Sequence, residues 1–132
     1  MISISLRTKR FAVEVFNLLD DIPQSPKGRV VQYQLASCSS SGAANYRAAQ
    51  RSRSRAEFIS KLSIALEEVD ESNFWIELLV DTRMISPQKV ADLLKEGQEL
   101  FAILLASRNT ARRNTKRNID PKKPSPPPSP PV

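Results

Sequence analysis

Few residues of this chain have the chemistry that catalysis requires. The sequence contains no histidine and a single cysteine, Cys38. Nucleophile activation of the Ser-His-Asp or Cys-His kind needs an imidazole, and zinc sites need several His or Cys ligands. These classes of site are therefore excluded. We interpret Cys38, which lies among serines, as a small buried residue rather than a nucleophile.

A carboxylate cluster is the other group with catalytic or metal-binding potential. Glu67, Glu68, Asp70 and Glu71 are close in sequence, and Glu67 and Glu71 share a helix face at i,i+4 spacing. Diiron sites in helix bundles combine such carboxylates with Glu-x-x-His motifs, which this chain lacks. We favour a solvated acidic face, and we predict a protein with no catalytic residues, no metal and no cofactor.

Basic residues are the third chemically active group, and they are unevenly distributed. Residues 1–63, 64–107 and 108–132 carry net charges of +6, −6 and +6. Most of these cations are arginines, whose planar fork of donors suits phosphate. The pattern indicates a polyanion-binding protein if the fold brings the two basic segments together.

The elements that must position these cations are predicted to be helices. Glycine is scarce, with three residues, and Leu, Ala, Arg and Glu are abundant. Apolar spacing predicts helix 1 over about 8–20, and Ser25-Pro26 marks the start of helix 2. The capping box from Ser54 to Glu57 starts helix 3, which is predicted to end near Met84. Ser86-Pro87 repeats the start signal for helix 4.

Helix 2 is the ambiguous element, because its serine-rich stretch over 37–44 also fits a linker. The absence of proline and the helical apolar spacing on both sides favour a helix with a kink near Gly42. Tyr46 either stacks on a base or, as is more common for a single tyrosine, packs inside the protein. We predict an all-α, antiparallel up-down-up-down four-helix bundle over 1–117, followed by a disordered Pro-rich tail over 118–132.

This topology brings the start of helices 1 and 3 and the end of helices 2 and 4 to one end of the bundle. We call the cations predicted there the basic pole and predict that they bind nucleic acid, although a merely solvated basic end remains an alternative. The basic pole comprises Arg7, Lys9, Arg10, Arg47, Arg51, Arg53, Arg55, Arg108, Arg112, Arg113, Lys116 and Arg117.

Apolar residues outside the predicted core indicate association between subunits. The segment Leu100 to Ala106 (LFAILLA) is apolar on all sides, which fits either a fully covered helix or a subunit interface. We favour the interface. Its predicted residues are Ile59, Leu66, Trp75, Leu100 and Ile103.

The two ends of the chain have a simpler interpretation. The first ten residues contain no apolar run long enough for a signal peptide or a membrane span, so we predict a cytoplasmic protein without a membrane partner. The tail from Pro121 is expected to form polyproline II. It either docks a Pro-reading domain or, as we favour, stays solvated.

Two segments resemble a known family: Ser41 to Gln50 (SGAANYRAAQ) and Ser54 to Glu68 (SRAEFISKLSIALEE), with further likeness through Leu79. They are similar to bacterial four-helix bundle proteins encoded by intervening sequences of 23S rRNA genes, and to the accessory variability proteins of diversity-generating retroelements. The resemblance implies an antiparallel four-helix subunit, a homopentamer, association with nucleic acid, a possible reverse transcriptase partner and no enzymatic activity. Asn45 and Arg47 match the family pattern, whereas Ala48 replaces its usual Glu.

Two functions follow as hypotheses. The first is a non-enzymatic oligomeric accessory protein that binds nucleic acid, RNA rather than DNA, through the basic pole. The second is a structural scaffold that binds another protein and has no nucleic-acid role. The sequence names neither the nucleic acid nor its genetic context, and salt dependence of binding distinguishes the two functions.

Overall fold

The computed structural model describes the backbone of residues 2–117 and the side chains of residues 2–115. The predicted Pro-rich tail over 118–132 lies outside the described residues. Four α-helices follow one another: α1 (Ile4–Leu19), α2 (Pro26–Gln50), α3 (Arg55–Asp81) and α4 (Pro87–Arg117). Each helix packs against the helices before and after it, and α1 also packs against α4, which closes the ring. The predicted all-α four-helix bundle is therefore confirmed.

Serine caps set three of the helix starts. The Ser3 Oγ accepts from the Leu6 N–H at 3.1 Å, and the Ser25 Oγ accepts from the Gly28 N–H at 3.1 Å. The Ser54 Oγ accepts from the Glu57 N–H at 3.0 Å, as the capping box predicts. The start predicted for helix 1 was wrong by about one turn, because the Ser3 cap begins α1 at Ile4 rather than near residue 8.

The end of α3 differs from its prediction by three residues. The helix ends at Asp81 rather than near Met84, and Arg83 adopts a left-handed φ of 61°. The Met84 N–H donates to the Leu79 carbonyl at 2.9 Å, and the Arg83 N–H donates to the Val80 carbonyl at 3.0 Å. This is the Schellman pattern, in which the left-handed position is usually glycine. Arginine at that position cannot be recognised as a helix end from sequence.

The serine-rich part of α2 is helical and lies against α3, which is the most extensive helix pair in the bundle. A Cβ atom at Gly42 would lie 3.2 Å from Val69 Cγ2, so the missing side chain permits the close approach of α2 and α3. The Ser72 hydroxyl lies 3.1 Å from Cys38 Sγ in the same interface. Small residues here serve helix packing rather than a linker.

The fourth side of the bundle, between α1 and α4, has the fewest contacts and uses charge. The Arg7 guanidinium forms salt bridges with Glu96 and Glu99, and Lys89 Nζ lies 3.2 Å from Asp21 Oδ2. Phe11 and Asn73 both pack against Gly97, where an added Cβ would lie 2.9 and 1.9 Å from their nearest atoms. Residue 11 of α1 and residue 73 of α3 are therefore at the same level along the bundle.

Candidate nucleic-acid interface

The densest part of the basic pole is a ridge at the end of α2. Arg47 in the last turn and Arg51 at the C-cap are one helical turn apart and exposed, and we call this pair the α2 ridge. One surface depression beside the ridge is also bordered by Lys9 of α1, and the depression on its other side is bordered by Arg53. The fold thus places Lys9 of α1 next to the cations at the end of α2 and in the loop that follows it.

The floor of these depressions is made of small residues. Ala44 lines both of them, Ala43 lines the one next to α1 and Ala48 lines the one next to α3. A carboxylate at position 48, as the family resemblance would suggest, would line the depression next to α3 together with both arginines of the ridge. Alanine leaves the arginines without that competing anion and lets a phosphate approach the helix closely.

Glu57 is the single acid that lines either depression. Its carboxylate accepts a long hydrogen bond of 3.4 Å from the Arg53 backbone N–H, while its own N–H is capped by Ser54. The pair of bonds resembles a capping box, except that the carboxylate accepts from the residue before the N-cap, so Glu57 is engaged at the start of α3. The depressions therefore have a strong excess of positive charge.

Arg7 and Arg10 lie apart from this ridge. Arg7 is clamped between two carboxylates of α4, and the hydrogen bond to Glu96, followed by Glu99, raises the pKa of Arg7 above its already high value. Arg10 lines a different groove, between α1 and α4, together with Glu14 and Asp92. Apart from Glu14, these neighbours are remote in the chain, so the sequence did not indicate them.

The remaining members of the basic pole lie at the start of α3 and along the last turns of α4. Arg55 is the half-buried first residue of α3, while Arg112 and Arg113 are exposed and Arg113 donates to Thr110 Oγ1 at 3.2 Å. Arg108 is half-buried, and its Nε is buried without a hydrogen-bond partner among the described residues. The side chains of Lys116 and Arg117 lie outside the described residues.

Tyr46 is part of the core and not of this surface. Its ring is fully buried, and burial raises the pKa of its hydroxyl to about 12. Base stacking needs an exposed ring face, so the alternative in which Tyr46 packs is confirmed. Asn45, the neighbouring position of the family pattern, uses its Nδ2 to donate to the Ser41 carbonyl at 2.9 Å.

The predicted subunit interface was wrong for two of its five residues. Leu66 and Leu100 are 3% and 0% exposed, so they belong to the bundle core. Ile59, Trp75 and Ile103 are half-buried and pack against that core. The segment from Leu100 to Ala106 looked apolar on all sides, but its most solvent-exposed positions are alanines, 102 and 106.

Exposed apolar side chains occur elsewhere, and sequence analysis missed them. Val13 and Phe16 of α1 are 50% and 48% exposed, Tyr33 of α2 is 74% exposed, and Phe74 of α3 is 54% exposed. The signal was present in α1, where 13 and 16 fall outside the spacing of the buried positions 4, 8, 11, 15 and 18. This spacing places them opposite the core.

The residues considered for catalysis occupy different environments. Glu67, Asp70 and Glu71 are exposed on α3, whereas burial, followed by the neighbouring carboxylates of Glu71 and Glu67, raises the pKa of Glu68. Within the described part of the chain, no group of three His, Cys, Asp or Glu residues could hold a metal ion. Burial likewise raises the pKa of the Cys38 thiol.

Both the sequence and the fold of this chain are similar to those of known proteins. Residues 2–106 match the model of the 23S rRNA-intervening sequence protein family. The chain belongs to this family. A crystal structure of a protein of unknown function from the S23 ribosomal protein family of Bacteroides thetaiotaomicron is also similar to it. That structure shares 32% sequence identity with a TM-score of 0.73, and the match covers 79% of this chain and 96% of that one.

Family membership agrees with the resemblance that the motifs at Ser41 to Gln50 and Ser54 to Glu68 indicate. A search of curated protein sequences gives no match. Among the described residues, none of the helices is both long and apolar enough to cross a membrane.

Proposed function

We propose that this 23S rRNA-intervening sequence protein is a non-enzymatic, oligomeric accessory protein that binds nucleic acid through its basic pole. The observation that supports this most directly is the α2 ridge. Arg47 and Arg51 are exposed there between two depressions, Arg53 and Lys9 border those depressions, and the single lining acid is engaged in a helix cap.

This arrangement favours a phosphate backbone over a small ligand. Guanidinium groups one helical turn apart on an open surface can each donate to a separate phosphate, and their charge does not depend on pH in the ordinary range. Alanine side chains line the bottom of the depressions, and they cannot form hydrogen bonds with the edges of bases. We therefore expect contacts that position the nucleic acid without strong sequence preference.

RNA is the nucleic acid to test first. The family name connects its members to 23S rRNA, and the helix ends of a bundle present cations as a surface rather than as a groove-reading element. We propose RNA in preference to DNA, and a homo-oligomer of five copies, as the resemblance implies. Several ridges in one assembly would strengthen weak contacts through effective concentration.

The test replaces the three arginines that border the depressions. A triple variant with Arg47→Gln, Arg51→Gln and Arg53→Gln is titrated against a fluorescein-labelled structured RNA by anisotropy, alongside DNA of the same sequence. The matched control carries Lys27→Gln, Arg29→Gln and Lys95→Gln, three exposed cations outside the basic pole. Both variants lose three positive charges, so a difference between their RNA affinities shows that the position of the cations matters.

We expect the triple variant to lose most of its affinity and the control to keep it. If each arginine contacts one phosphate, removing three contacts should reduce the log–log salt slope by about 2 to 3 per protomer, from roughly 0.7 per contact on single strands and 0.9 on duplex. An equal loss of RNA affinity in both variants would show that binding depends on net charge and not on the position of the cations. Equal binding by the wild type and the triple variant would refute the proposal and leave the protein scaffold as the better hypothesis.

A further inference from the structure

The outward face of α3 carries a row of side chains that has no role in the core. Its members follow one another at intervals of three and four residues, and two acidic residues lie between apolar ones. We call them the α3 stripe: Ile64, Glu67, Glu71, Phe74 and Leu78. Phe74 is 54% exposed and Ile64 is 37% exposed, which is unusual for large apolar side chains.

The aromatic part of the α3 stripe is held in place. The rings of Phe74 and Trp75 meet edge to face, with centroids 5.2 Å apart and planes at 77°. The Trp75 indole N–H points to Glu71 Oε1 at 3.4 Å, and the Trp75 ring packs against the core. Phe74 is thus an exposed ring on a fixed support, and it loses little conformational freedom when a partner covers it.

The acidic part of the α3 stripe is not neutralised within the subunit. No Lys or Arg of the described residues forms a salt bridge with Glu67 or Glu71. Burial raises the pKa of Glu68, and the neighbouring carboxylates of Glu71 and Glu67 raise it further. A partner for this face needs apolar side chains at helical spacing and at least one cation between them.

The outward face of α1 has this composition. Leu6, Lys9, Val13 and Phe16 follow one another at the same intervals of three and four residues and are exposed, and we call them the α1 stripe. Val13 and Phe16 are about half exposed. In an up-down-up-down bundle α1 and α3 run in the same direction, so a stripe of one copy can lie parallel to the other stripe of the next copy.

The two stripes also match in register. Phe11 and Asn73 converge on Gly97, which places residue n of α1 level with residue n+62 of α3. Cyclic symmetry about an axis along the bundle keeps levels equal between copies. Lys9 then lies opposite Glu71, Val13 lies beside Phe74, and Phe16 lies opposite Leu78. One cation meets a carboxylate, and two apolar side chains meet apolar ones.

We propose that copies of this protein associate head to tail, with the α1 stripe of one copy packed along the α3 stripe of the next. The inference rests on the oligomer of the proposed function and names its contact surfaces. The contact is heterologous, so every copy uses both stripes. Lys9 is drawn toward Glu71 of the neighbour, which leaves the α2 ridge and the depression next to α3, rather than the depression next to α1, to nucleic acid.

A mixing experiment tests this contact. Val13→Asp disables the α1 stripe, and Phe74→Asp disables the α3 stripe, by placing a charge in an apolar contact. Both positions are exposed, so each variant is expected to fold, which circular dichroism checks. Each variant alone should sediment as a monomer, whereas their equimolar mixture should form a one-to-one dimer, because one intact pair of stripes remains. Tyr33→Asp, at an exposed residue outside both stripes, should assemble as the wild type does.

The outcomes separate the two proposals. A wild type that is monomeric at micromolar concentration would refute oligomerisation itself and this contact with it. A wild-type oligomer that either variant leaves intact, or a mixture that stays monomeric, would refute the head-to-tail contact while leaving an oligomer through other surfaces. A symmetric contact, in which each surface meets its own copy, would give no recovery on mixing. RNA binding by the triple arginine variant does not enter these outcomes.

Discussion

Gly97 is the position where the packing of α1, α3 and α4 can be tested most sharply. Replacing glycine by alanine inside a helix normally stabilises it by about 1 kcal/mol. At Gly97, however, the new Cβ would lie 1.9 Å from Asn73 Oδ1 and 2.9 Å from Phe11 Cε1. Both neighbours are buried, at 6% and 2% exposure, so neither can move into solvent without loss of packing.

We expect Gly97→Ala to destabilise the bundle. Overpacking of a close-packed core costs about 1–3 kcal/mol, which exceeds the helix gain, so the net loss should be about 1 kcal/mol. Asn73 Oδ1 has no hydrogen-bond partner among the described residues, so removing it leaves no partner unsatisfied. In an Asn73→Ala background, Gly97→Ala should therefore recover its helix gain and become neutral or stabilising.

The assay is urea unfolding of the wild type, the two single variants and the double variant. Circular dichroism and the fluorescence of Trp75, the single tryptophan of the chain, provide two probes whose agreement supports two-state analysis. The expected coupling between the sites is about 1 kcal/mol or more. Additive effects, or a Gly97→Ala variant more stable than the wild type, would refute the packing described here and the register between α1 and α3 that depends on it.

Three further substitutions probe helix ends and charge. Ser54→Ala should cost about 1 kcal/mol in urea unfolding through loss of the α3 cap, whereas Ser60→Ala, on an exposed position of the same helix, should cost little. Arg83→Gly should stabilise the bundle by about 1 kcal/mol, because the left-handed φ of 61° strains arginine but not glycine, and an unchanged Tm would contradict this. Because its pKa is raised in the folded chain, Glu68 favours folding when protonated. The contribution of Glu68 to the free energy of unfolding therefore increases as the pH falls toward the ordinary pKa of Glu and decreases as the pH rises. A Glu68→Gln variant stays neutral, so it should raise Tm at pH 7 and weaken the pH dependence of Tm.

Local signals predicted most helix boundaries because each depends on residues within one turn. Ser25-Pro26 and Pro87 mark the starts of α2 and α4, and Ser54 with Glu57 marks the start of α3. These motifs satisfy backbone donors that no distant residue can reach. The two boundary errors, at Ser3 and Arg83, lack the usual accompanying residues, since a Glu does not follow Ser3 by three positions and arginine replaces the usual glycine.

Long-range pairings could not be predicted in the same way. Arg7 is separated by 89 residues from Glu96, and nothing in its local sequence distinguishes it from Lys9 or Arg10, which have no salt bridge in the described part of the chain. The α2 ridge and the neighbouring Arg53 could be predicted from sequence because these arginines are close in the chain. The rotation of α4 that buries Leu100 could not be predicted, because the residues that follow it, from Phe101 to Ala106, are all apolar.

Substitutions of Leu100 distinguish a residue of the bundle core from a residue of a subunit interface. If Leu100 faced a second subunit, Leu100→Lys would yield a folded monomer. Its side chain is instead fully buried in the subunit, so the substitution should unfold the bundle, because a buried unpaired charge costs several kcal/mol against a total stability of roughly 5–15 kcal/mol. Leu100→Ala should remain folded with a loss of about 2–5 kcal/mol. Circular dichroism and sedimentation of both variants decide the matter: a helical, monomeric Leu100→Lys protein would contradict the placement of Leu100 in the core and restore the predicted interface on α4.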